Sequence, residues 1–269
     1  MNKPHLPTQP RARGKLEIEV SASPRGTRLA RLHQAGAFRA LFPHGAGMTA
    51  VMLNTSGGVT GGDRFSVTAS AGEGAHLTLT TQAAERYYRA QPGETGRIST
   101  DLTVGRGARI DWLPQETILF DHASVHRRLS AELAPDATLV AVEPLVFGRA
   151  AMGERVHHLH FRDRIDVSRD GVPVFADRVA MDGDSVAHLA GRATGGGAGA
   201  LAALIVVSPE ADRWLAPLRQ LMPEAGGVSL IRPGVLFARI AAPDGYALRK
   251  TLLPALNAVN VAVPRTWTL

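Results

Sequence analysis

The chain has 269 residues, of which 45% are hydrophobic and 20% charged, and it contains no cysteine. This composition excludes extensive disorder, and the missing thiols exclude disulfides, thiolate zinc sites, iron–sulfur clusters and a cysteine nucleophile. The net charge of +6 comes almost wholly from arginines, since the only lysines are Lys3, Lys15 and Lys250. The arginines are scattered singly and often stand beside an acid, which argues against nucleic-acid binding because groove-reading proteins need clustered basic residues.

No segment predicts membrane insertion or export. The longest apolar stretch, residues 201–207, is far shorter than the roughly 20 residues of a membrane helix. Near the N-terminus, Pro4, Pro7 and Pro10 interrupt the chain, and no apolar signal core follows. We therefore predict a disordered tail over residues 1–13 and a soluble, cytoplasmic protein.

Residues 14–190 are predicted to form a β body. Short runs alternate apolar and polar residues with period two, which indicates strands with one buried face. The clearest runs are residues 16–20, 76–80, 98–104, 139–142, 155–167 and 172–175. Turn signals such as Gly72-Glu73-Gly74 and Pro92-Gly93 separate the runs. The sequence therefore predicts a mainly β fold, and the even spacing fits either stacked coils or a barrel.

The C-terminal third is different in pattern. Residues 191–200 are glycine-rich and predict a linker or loop. A buried strand over 201–207 is followed by a predicted helix at 209–222, a hairpin at 228–240 and a second helix at 246–259, which Pro254 should kink or divide. We predict that these elements pack on the β body within a single domain over residues 14–269, and not as a separate domain.

The first motif of interest is the glycine-rich segment LNTSGGVTGGDRF, residues 53–65. It contains Gly57, Gly58, Gly61, Gly62 and then Asp63. A phosphate-binding loop would end in GK[ST] and lead into a helix, whereas here a carboxylate and a predicted strand follow. Two tight turns are the simpler interpretation, although an acid beside four glycines also fits a place where a small ion passes.

Two further segments carry polar groups where a core strand would be apolar. Thr80, Thr81 and Gln82 end one predicted strand and indicate either a polar interior or an edge strand. The segment after Pro114 contains Glu116, Asp121, His122 and His126, whose oxygen and nitrogen donors suit a divalent first-row metal. An ordinary sheet rim would explain the same residues.

A histidine run, His157-His158-Leu159-His160, places His158 and His160 on one face of a predicted strand, where they could share a metal. Exposed histidines are also common without any ligand, so both interpretations stay open. Neither a catalytic triad nor a cofactor fingerprint is recognisable, which favours a non-enzyme. The alternative is a small metal-assisted hydrolase that uses Asp121 and His122.

Taken together, several segments resemble the urease accessory protein UreD (UreH) family. The matching segments, in the family's order, are LNTSGGVTGGD (53–63), TTQAA (80–84) with Tyr88-Arg89, WLPQE (112–116) with Phe120, FGR (147–149) with Gly153-Glu154, and PRTW (264–267). They span almost the whole chain after Gly14. One departure is Ala90 after Arg89, where the family often has serine.

The resemblance implies a β-helix-like all-β body with two helices and a role as a maturation factor without catalysis. It implies binding to the urease apoprotein and, with the accessory protein UreF and the GTPase UreG, delivery of nickel through a polar internal passage; nickel is then cargo, and no tightly bound cofactor is expected. The residues expected to meet nickel in transit are Asp63, Glu116, Asp121 and His122. The residues expected to bind partners or to carry the motifs are Gly57, Gly58, Gly61, Gly62, Thr81, Gln82, Tyr88, Arg89, Gln115, Arg149 and Glu154.

Overall fold

The computed structural model describes residues 9–45 and 47–268, which form two large β-sheets and three α-helices. The seven-stranded sheet contains β1 (Arg13–Ser23), β2 (Gly26–Gly36), β5 (Arg64–Ala71), β8 (Gly96–Val104), β11 (Ser124–Leu133), β13 (Leu159–Arg169) and β14 (Val172–Gly183). The ten-stranded sheet contains β3 (Phe38–Leu41), β4 (Met48–Asn54), β6 (His76–Thr81), β7 (Glu85–Tyr87), β9 (Arg109–Leu113), β10 (Thr117–Leu119), β12 (Thr138–Phe147), β15 (Ala200–Val207), β16 (Gly226–Arg232) and β17 (Val235–Ala242). The helices are α1 (Ser185–Ala190), α2 (Leu215–Leu221) and α3 (Gly245–Ala258).

The chain forms a solenoid, in which each coil passes from one sheet to the other and back. Strands β1, β5, β8, β11 and β13 are parallel neighbours in one sheet, and β4, β6, β9 and β12 are parallel neighbours in the other. Because the chain passes from one sheet to the other and back in each coil, with the short strands β7 and β10 on the return, each coil stacks on the coil before it. The expected β-helix-like fold is therefore confirmed, and the parallel pairing selects stacked coils over a barrel.

The two edge strands of the seven-stranded sheet run antiparallel to their neighbours. Strand β2 pairs with β1 in antiparallel fashion, and β14 pairs in the same way with β13. In the other sheet, β15 pairs with β12, β17 with β15 and β16 with β17, each in antiparallel fashion. Hairpins with short turns join β1 to β2, β13 to β14 and β16 to β17, whereas each parallel step needs a crossover through the opposite sheet.

The pleat of the strands separates two hydrophobic cores. In β15 the odd-numbered side chains, such as Leu201 and Ile205, face the seven-stranded sheet, and the even-numbered side chains, such as Leu204 and Val206, face the helices. All eight residues of β15 are buried for this reason. The continuous apolar run that marked this strand in the sequence is thus explained by cover on both faces.

The helices differ in detail from the sequence expectation of two. Helix α1 is a third one, begun by Asp184, whose carboxylate accepts a hydrogen bond from the backbone N–H of Ala187. The helix expected at 209–222 is a 3-10 turn over Ala211–Trp214 followed by α2. Helix α3 is capped by Asp244 and continues through Pro254 as one element, so the predicted division there is wrong.

The ends of the predicted regions also have defined contacts. Residues 1–8 of the predicted tail lie outside the described residues, but the Arg11 guanidinium pairs with Glu94 and the Ala12 N–H bonds to Asp63. In the glycine-rich segment, the backbone N–H groups of Gly195 and Gly196 both donate to the carbonyl oxygen of Gly191.

Over residues 9–45 and 47–268, none of the helices has the length and apolar character needed to cross a membrane.

Candidate functional site

The sequence motifs converge on one edge of the solenoid, which we call the corner edge. It consists of the four segments that return the chain from the ten-stranded to the seven-stranded sheet, residues 55–63, 82–95, 114–123 and 148–158. Val59 bridges to Tyr87, β7 pairs with β10, and β10 pairs with the end of β12, all in parallel. Motifs that lie about 30 residues apart in sequence are therefore neighbours in space.

The glycine-rich turn at the start of the corner edge is shaped by its neighbour Tyr88. Gly58 has a φ of 151°, and a Cβ there would overlap the Tyr88 ring and lie 2.7 Å from the carbonyl oxygen of Arg86. The Tyr88 hydroxyl donates a 3.0 Å hydrogen bond to the carbonyl oxygen of Gly57. The glycines thus serve close packing of two stacked turns, which supports the simpler interpretation of this motif.

Asp63 is buried and both of its carboxylate oxygens are occupied. Oδ1 accepts the N–H of Ala12 at 2.8 Å, and Oδ2 accepts the N–H of Thr60, also at 2.8 Å. The side chain therefore ties the start of β1 to the glycine-rich turn. A contact of Asp63 with nickel stays a prediction, and its hydrogen bonds give the residue a structural role.

Glu116 and Gln115 join the corner edge to the C-terminal helix. Glu116 accepts hydrogen bonds from Arg249 Nε at 2.9 Å and from Nη2 at 2.6 Å, and Arg249 also donates to the carbonyl oxygen of Trp267. The Gln115 side chain donates to the carbonyl oxygen of Thr81, whose hydroxyl accepts the Gln115 N–H. Glu116 is thus held in a two-pronged ion pair, and its predicted contact with nickel would require Arg249 to move.

A cavity of about 90 Å³ lies between the two sheets. Its lining combines apolar side chains with polar or charged ones from several coils, namely Asn54, Thr81, Glu85, Thr100, Gln115, Thr117, Arg127, Arg128 and Glu143. A space of this volume with several hydrogen-bonding partners is large enough for several water molecules. Of the three residues that suggested a polar interior, Thr81 lines this cavity, Thr80 is buried outside its lining and Gln82 is exposed.

Three buried charged residues lie close together in this interior, Arg127, Glu143 and Asp163, and the sequence analysis missed all three. Arg127 on β11 pairs in register with Asp163 on β13 and donates to it from Nε at 3.0 Å and from Nη2 at 2.6 Å. Glu143 reaches in from the other sheet, with Oε1 accepting the Trp112 indole N–H at 2.7 Å. Its Oε2 lies 2.6 Å from Arg127 Nη1 as an ion pair, without the alignment of a hydrogen bond.

Burial changes the acid–base behaviour of the carboxylates in the cavity. It raises the pKa of Glu143 to about 7, against the lowering effect of Arg127 and with a further raising effect from Asp163. Burial also raises the pKa of Glu85, which the hydrogen bond from Asn54 partly offsets. Glu143 therefore keeps its proton to a higher pH than an exposed glutamate does.

Outside the cavity, Asp121, His122 and His158 cluster on the corner edge. His122 Nε2 lies 3.3 Å from Asp121 Oδ2, and His158 Nδ1 lies 3.6 Å from Asp121 Oδ1. The two imidazole rings stack with their centroids 4.3 Å apart and their planes 8° from parallel. Although burial opposes it, the backbone N–H groups of His158 and His157, together with the His122 side chain, hold the pKa of Asp121 below its usual range.

The predicted sharing of a metal by His158 and His160 does not match this arrangement. His160 is paired instead with His126, Nε2 to Nε2 at 3.0 Å, and its Nδ1 contacts Asp182 at 2.6 Å. His158 precedes β13, so it does not follow the two-residue period of that strand. Two of the four predicted nickel residues, Asp121 and His122, are brought together, whereas Asp63 and Glu116 are engaged elsewhere.

The other motif residues of the corner edge line a shallow groove of about 570 Å³. Arg149 Nε donates to Glu154 at 2.7 Å, and the guanidinium lies 4.3 Å from the centre of the Phe120 ring. Tyr88 meets the same ring edge-on, and Arg89 also lines the groove. Glu154 further accepts the N–H of Asp121 at 3.3 Å, which connects the groove to the histidine cluster.

The parallel register also collects arginines on the outer face of the seven-stranded sheet. Arg64, Arg97, His126 and Arg162 form one cross-strand row, and Ser66, Ser99, Arg128 and Arg164 form the next. Arginines that are scattered along the sequence are therefore clustered in the structure, because strands from successive coils align residues that are far apart in sequence. Within the described residues, Arg64 and Arg97 have no carboxylate within 4.0 Å. We call these two rows the cationic face.

The whole chain was then compared with known proteins. The family of the UreD urease accessory protein matches residues 12–268. The chain belongs to this family. It is 50% identical over 244 residues to the urease accessory protein UreD of Ruegeria pomeroyi, covering 90% of this chain and 95% of the relative. It is 46% identical over 263 residues to the UreD of Roseobacter denitrificans, covering 97% and 96%.

Membership of the UreD family confirms the resemblance drawn from the sequence and supports a role in urease maturation. An accessory function is consistent with a protein that is not an enzyme. The alternative of a metal-assisted hydrolase stays a prediction: Asp121 and His122 do lie side by side, but the family to which the chain belongs is one of accessory proteins.

Replacing Asp63 with alanine should lower the free energy of unfolding by about 1–3 kcal/mol, because two buried backbone N–H groups lose their acceptor. Urea denaturation followed by circular dichroism measures the change. The matched control is Asp136→Ala, in an exposed turn, which should shift the unfolding free energy by less than about 0.5 kcal/mol. Equal stability of the two variants would contradict the structural role of Asp63.

Glu143 should make the protein less stable as the pH rises from about 4.5 towards 7. The pKa of Glu143 is higher in the folded state than in the unfolded chain. In that interval the native state therefore holds a proton that the unfolded chain has released, and the stabilisation that this proton provides is lost as the pH rises to the folded-state pKa. The variant Glu143→Gln should lose this part of the pH dependence, whereas the exposed control Glu73→Gln should keep it. Urea denaturation at pH 5, 6, 7 and 8 compares the slopes, and parallel curves for all three proteins would contradict the assignment.

Proposed function

We propose that this chain is a non-catalytic scaffold of urease maturation that acts in the cytoplasm. In this proposal it binds the urease apoprotein and, with a UreF-like protein and a UreG-like GTPase, delivers nickel to the urease active site through its polar interior. The observation that carries the proposal is the cavity between the sheets, whose lining includes hydroxyls, amides and the carboxylates of Glu85 and Glu143 beside the guanidinium groups of Arg127 and Arg128.

The chemistry of this lining suits passage better than storage. An ion conduit must bind its ion well enough to admit it and weakly enough to release it. Single carboxylates, hydroxyls and amides are weak ligands for nickel, whereas a closed set of imidazoles or thiolates would retain the metal. The chain has no cysteine, and the cavity lining contains no histidine.

The cationic face supports the choice of a protein partner with an acidic surface. Arg64 and Arg97 lie side by side in the register, and a recess of about 520 Å³ lies over them. Carboxylates such as Asp101 and Asp166 flank the rows and pair with Arg128 and Arg164. An array of both signs suits a folded protein surface, whereas flanking acids would repel the continuous phosphate backbone of a nucleic acid.

Cells that lack this chain should produce urease apoprotein with little nickel. Purified urease from the deletion strain, analysed for nickel by mass spectrometry, tests the proposed function directly. Restoring the wild-type gene should restore the nickel content, and Glu143→Gln should restore it less well than the exposed control Glu73→Gln, because only Glu143 lines the cavity. Urease with a normal nickel content in the deletion strain would exclude the proposal.

Reversing the charge of the cationic face should weaken partner binding. The double variant Arg64→Glu/Arg97→Glu should bind the urease apoprotein or the UreF-like protein about tenfold or more weakly, with a smaller dependence on salt. The control Arg25→Glu/Arg28→Glu changes the net charge equally at exposed positions around the β1–β2 turn and should leave binding unchanged. Titration calorimetry at about 50 mM salt, where screening is weak, and at about 300 mM salt, where screening is strong, measures the affinity of both double variants and its salt dependence. Equal affinity of the two double variants would assign partner binding to another surface.

A further inference from the structure

Three side chains with metal-ligand atoms lie on the corner edge, outside the interior cavity through which nickel is proposed to pass. They are the carboxylate of Asp121 and the imidazoles of His122 and His158. We infer that these three side chains form an open surface site for a divalent first-row transition metal, arranged to pass that metal on by ligand exchange. The inference of a metal site stands on geometry alone, and only the choice of nickel as the natural cargo rests on the proposed function.

The distances fit a shared ion after small side-chain movements. One ligand atom from each residue lies within 4.8 Å of the other two. Three ligand atoms bound tetrahedrally at about 2.0–2.1 Å from one ion lie about 3.4 Å from one another. A closure of about 1.4 Å at most therefore completes the site. The imidazole rings have the freedom for it, since the side chains of His122 and His158 are 38% and 65% exposed.

The backbone holds the three residues in place. Asp121 Oδ1 accepts the N–H of His157 at 2.9 Å and of His158 at 2.8 Å, which orients the carboxylate and leaves Oδ2 towards His122. The N–H of His122 donates to the carbonyl oxygen of His158 at 2.6 Å. His122 also has a φ of 64°, a left-handed conformation that costs about 1 kcal/mol or more for a residue with a Cβ. Strain of this kind persists where the surrounding contacts fix it, and here it presents the imidazole beside Asp121.

The imidazoles of His122 and His158 are available to a metal at both ring nitrogens. Among the described residues, these nitrogens make no aligned hydrogen bond with any side chain or backbone group. His160 instead uses Nδ1 towards Asp182 and Nε2 towards His126, and His157 uses Nδ1 towards Asp184. The carboxylate of Asp121 faces these two imidazoles, which completes a set of three ligand atoms.

The donor set selects the class of metal. Two imidazole nitrogens and one carboxylate oxygen suit Ni²⁺, Cu²⁺, Zn²⁺ and Co²⁺, whereas Mg²⁺ and Ca²⁺ prefer oxygen ligands alone. Three protein ligands leave coordination positions open for water or for a ligand from another protein. The groove with Arg149 and Glu154 adjoins the cluster, since Glu154 bonds to the N–H of Asp121. A partner seated in that groove would reach the open positions of the metal.

Equilibrium dialysis of the purified, untagged full chain against nickel chloride, with nickel measured by mass spectrometry, tests the site. We expect one equivalent bound by the wild type, and an affinity reduced about tenfold or more in His122→Ala and in His158→Ala. The control His188→Ala removes an exposed histidine on α1 and should bind as the wild type does. Glu143→Gln should also retain the equivalent, because the cavity is separate from the surface cluster. Magnesium chloride should not compete.

Asp121→Asn provides a second variant that keeps the acceptor for the two backbone N–H groups and removes only the charge. It should fold with an unchanged circular dichroism spectrum and still bind nickel more weakly than the wild type. The inference is overturned if the wild type binds no nickel, or if the alanine variants and Asp121→Asn bind it as tightly as the wild type. Normal nickel in urease from the deletion strain would reject the delivery function and leave this binding result intact, so the two failures are distinguishable.

Discussion

The functional features of this protein depend on one constraint, the parallel in-register stacking of successive coils. Backbone hydrogen bonds between parallel strands fix which residue of one coil lies beside which residue of the next. That register places Arg127 beside Asp163, collects Arg64 and Arg97 on the outer face, and stacks the four motif segments of the corner edge. A shift by one residue would turn each of these side chains to the opposite face of its sheet. The apolar partners on the inner face, such as Phe161 and Ile165, therefore protect the site by fixing the register.

The buried ion group is a costly feature in an otherwise apolar interior. Taking Arg127 and its two carboxylate partners out of water is unfavourable, and their mutual attraction repays this only with good geometry. Arg127 and Asp163 have that geometry in their paired hydrogen bonds, while Glu143 Oε2 is left with an ion pair alone. A core chosen for stability would have apolar residues here. The polar group instead places three charges beside the cavity between the sheets.

Much of the fold was predictable because it follows from local patterns. Alternation in β1 and β8 marked strands with one buried face, and the apolar run of β15 marked a buried strand, which the structure covers on both sides. The family motifs led to the solenoid, which spacing alone did not distinguish from a barrel. Helix α1 was missed because six residues before a glycine-rich turn carry too little periodicity, although Asp184 was available as a cap.

The site was less predictable because it depends on long-range register. Arg127, Glu143 and Asp163 share the inward parity of apolar neighbours, so a charge at a buried position of a strand was the signal available in the sequence. His158 joins Asp121 and His122 across two coils, which no spacing within a single motif can reveal. Asp63 illustrates the opposite case: an acid within a conspicuous motif whose oxygens are taken up by the backbone.

The reversed strands at the ends of the seven-stranded sheet set the length of the solenoid. Parallel coils present the same edge at every step, and such an edge would accept another coil from a second molecule without limit. Strand β2 ends the series by running against β1, and its exposed residues include Arg28 and Arg31, whose charges oppose the approach of a further strand. Strand β14 ends the other side in the same manner. The antiparallel edges therefore interrupt the parallel series on both sides of this sheet and disfavour the addition of a further coil from a second molecule there.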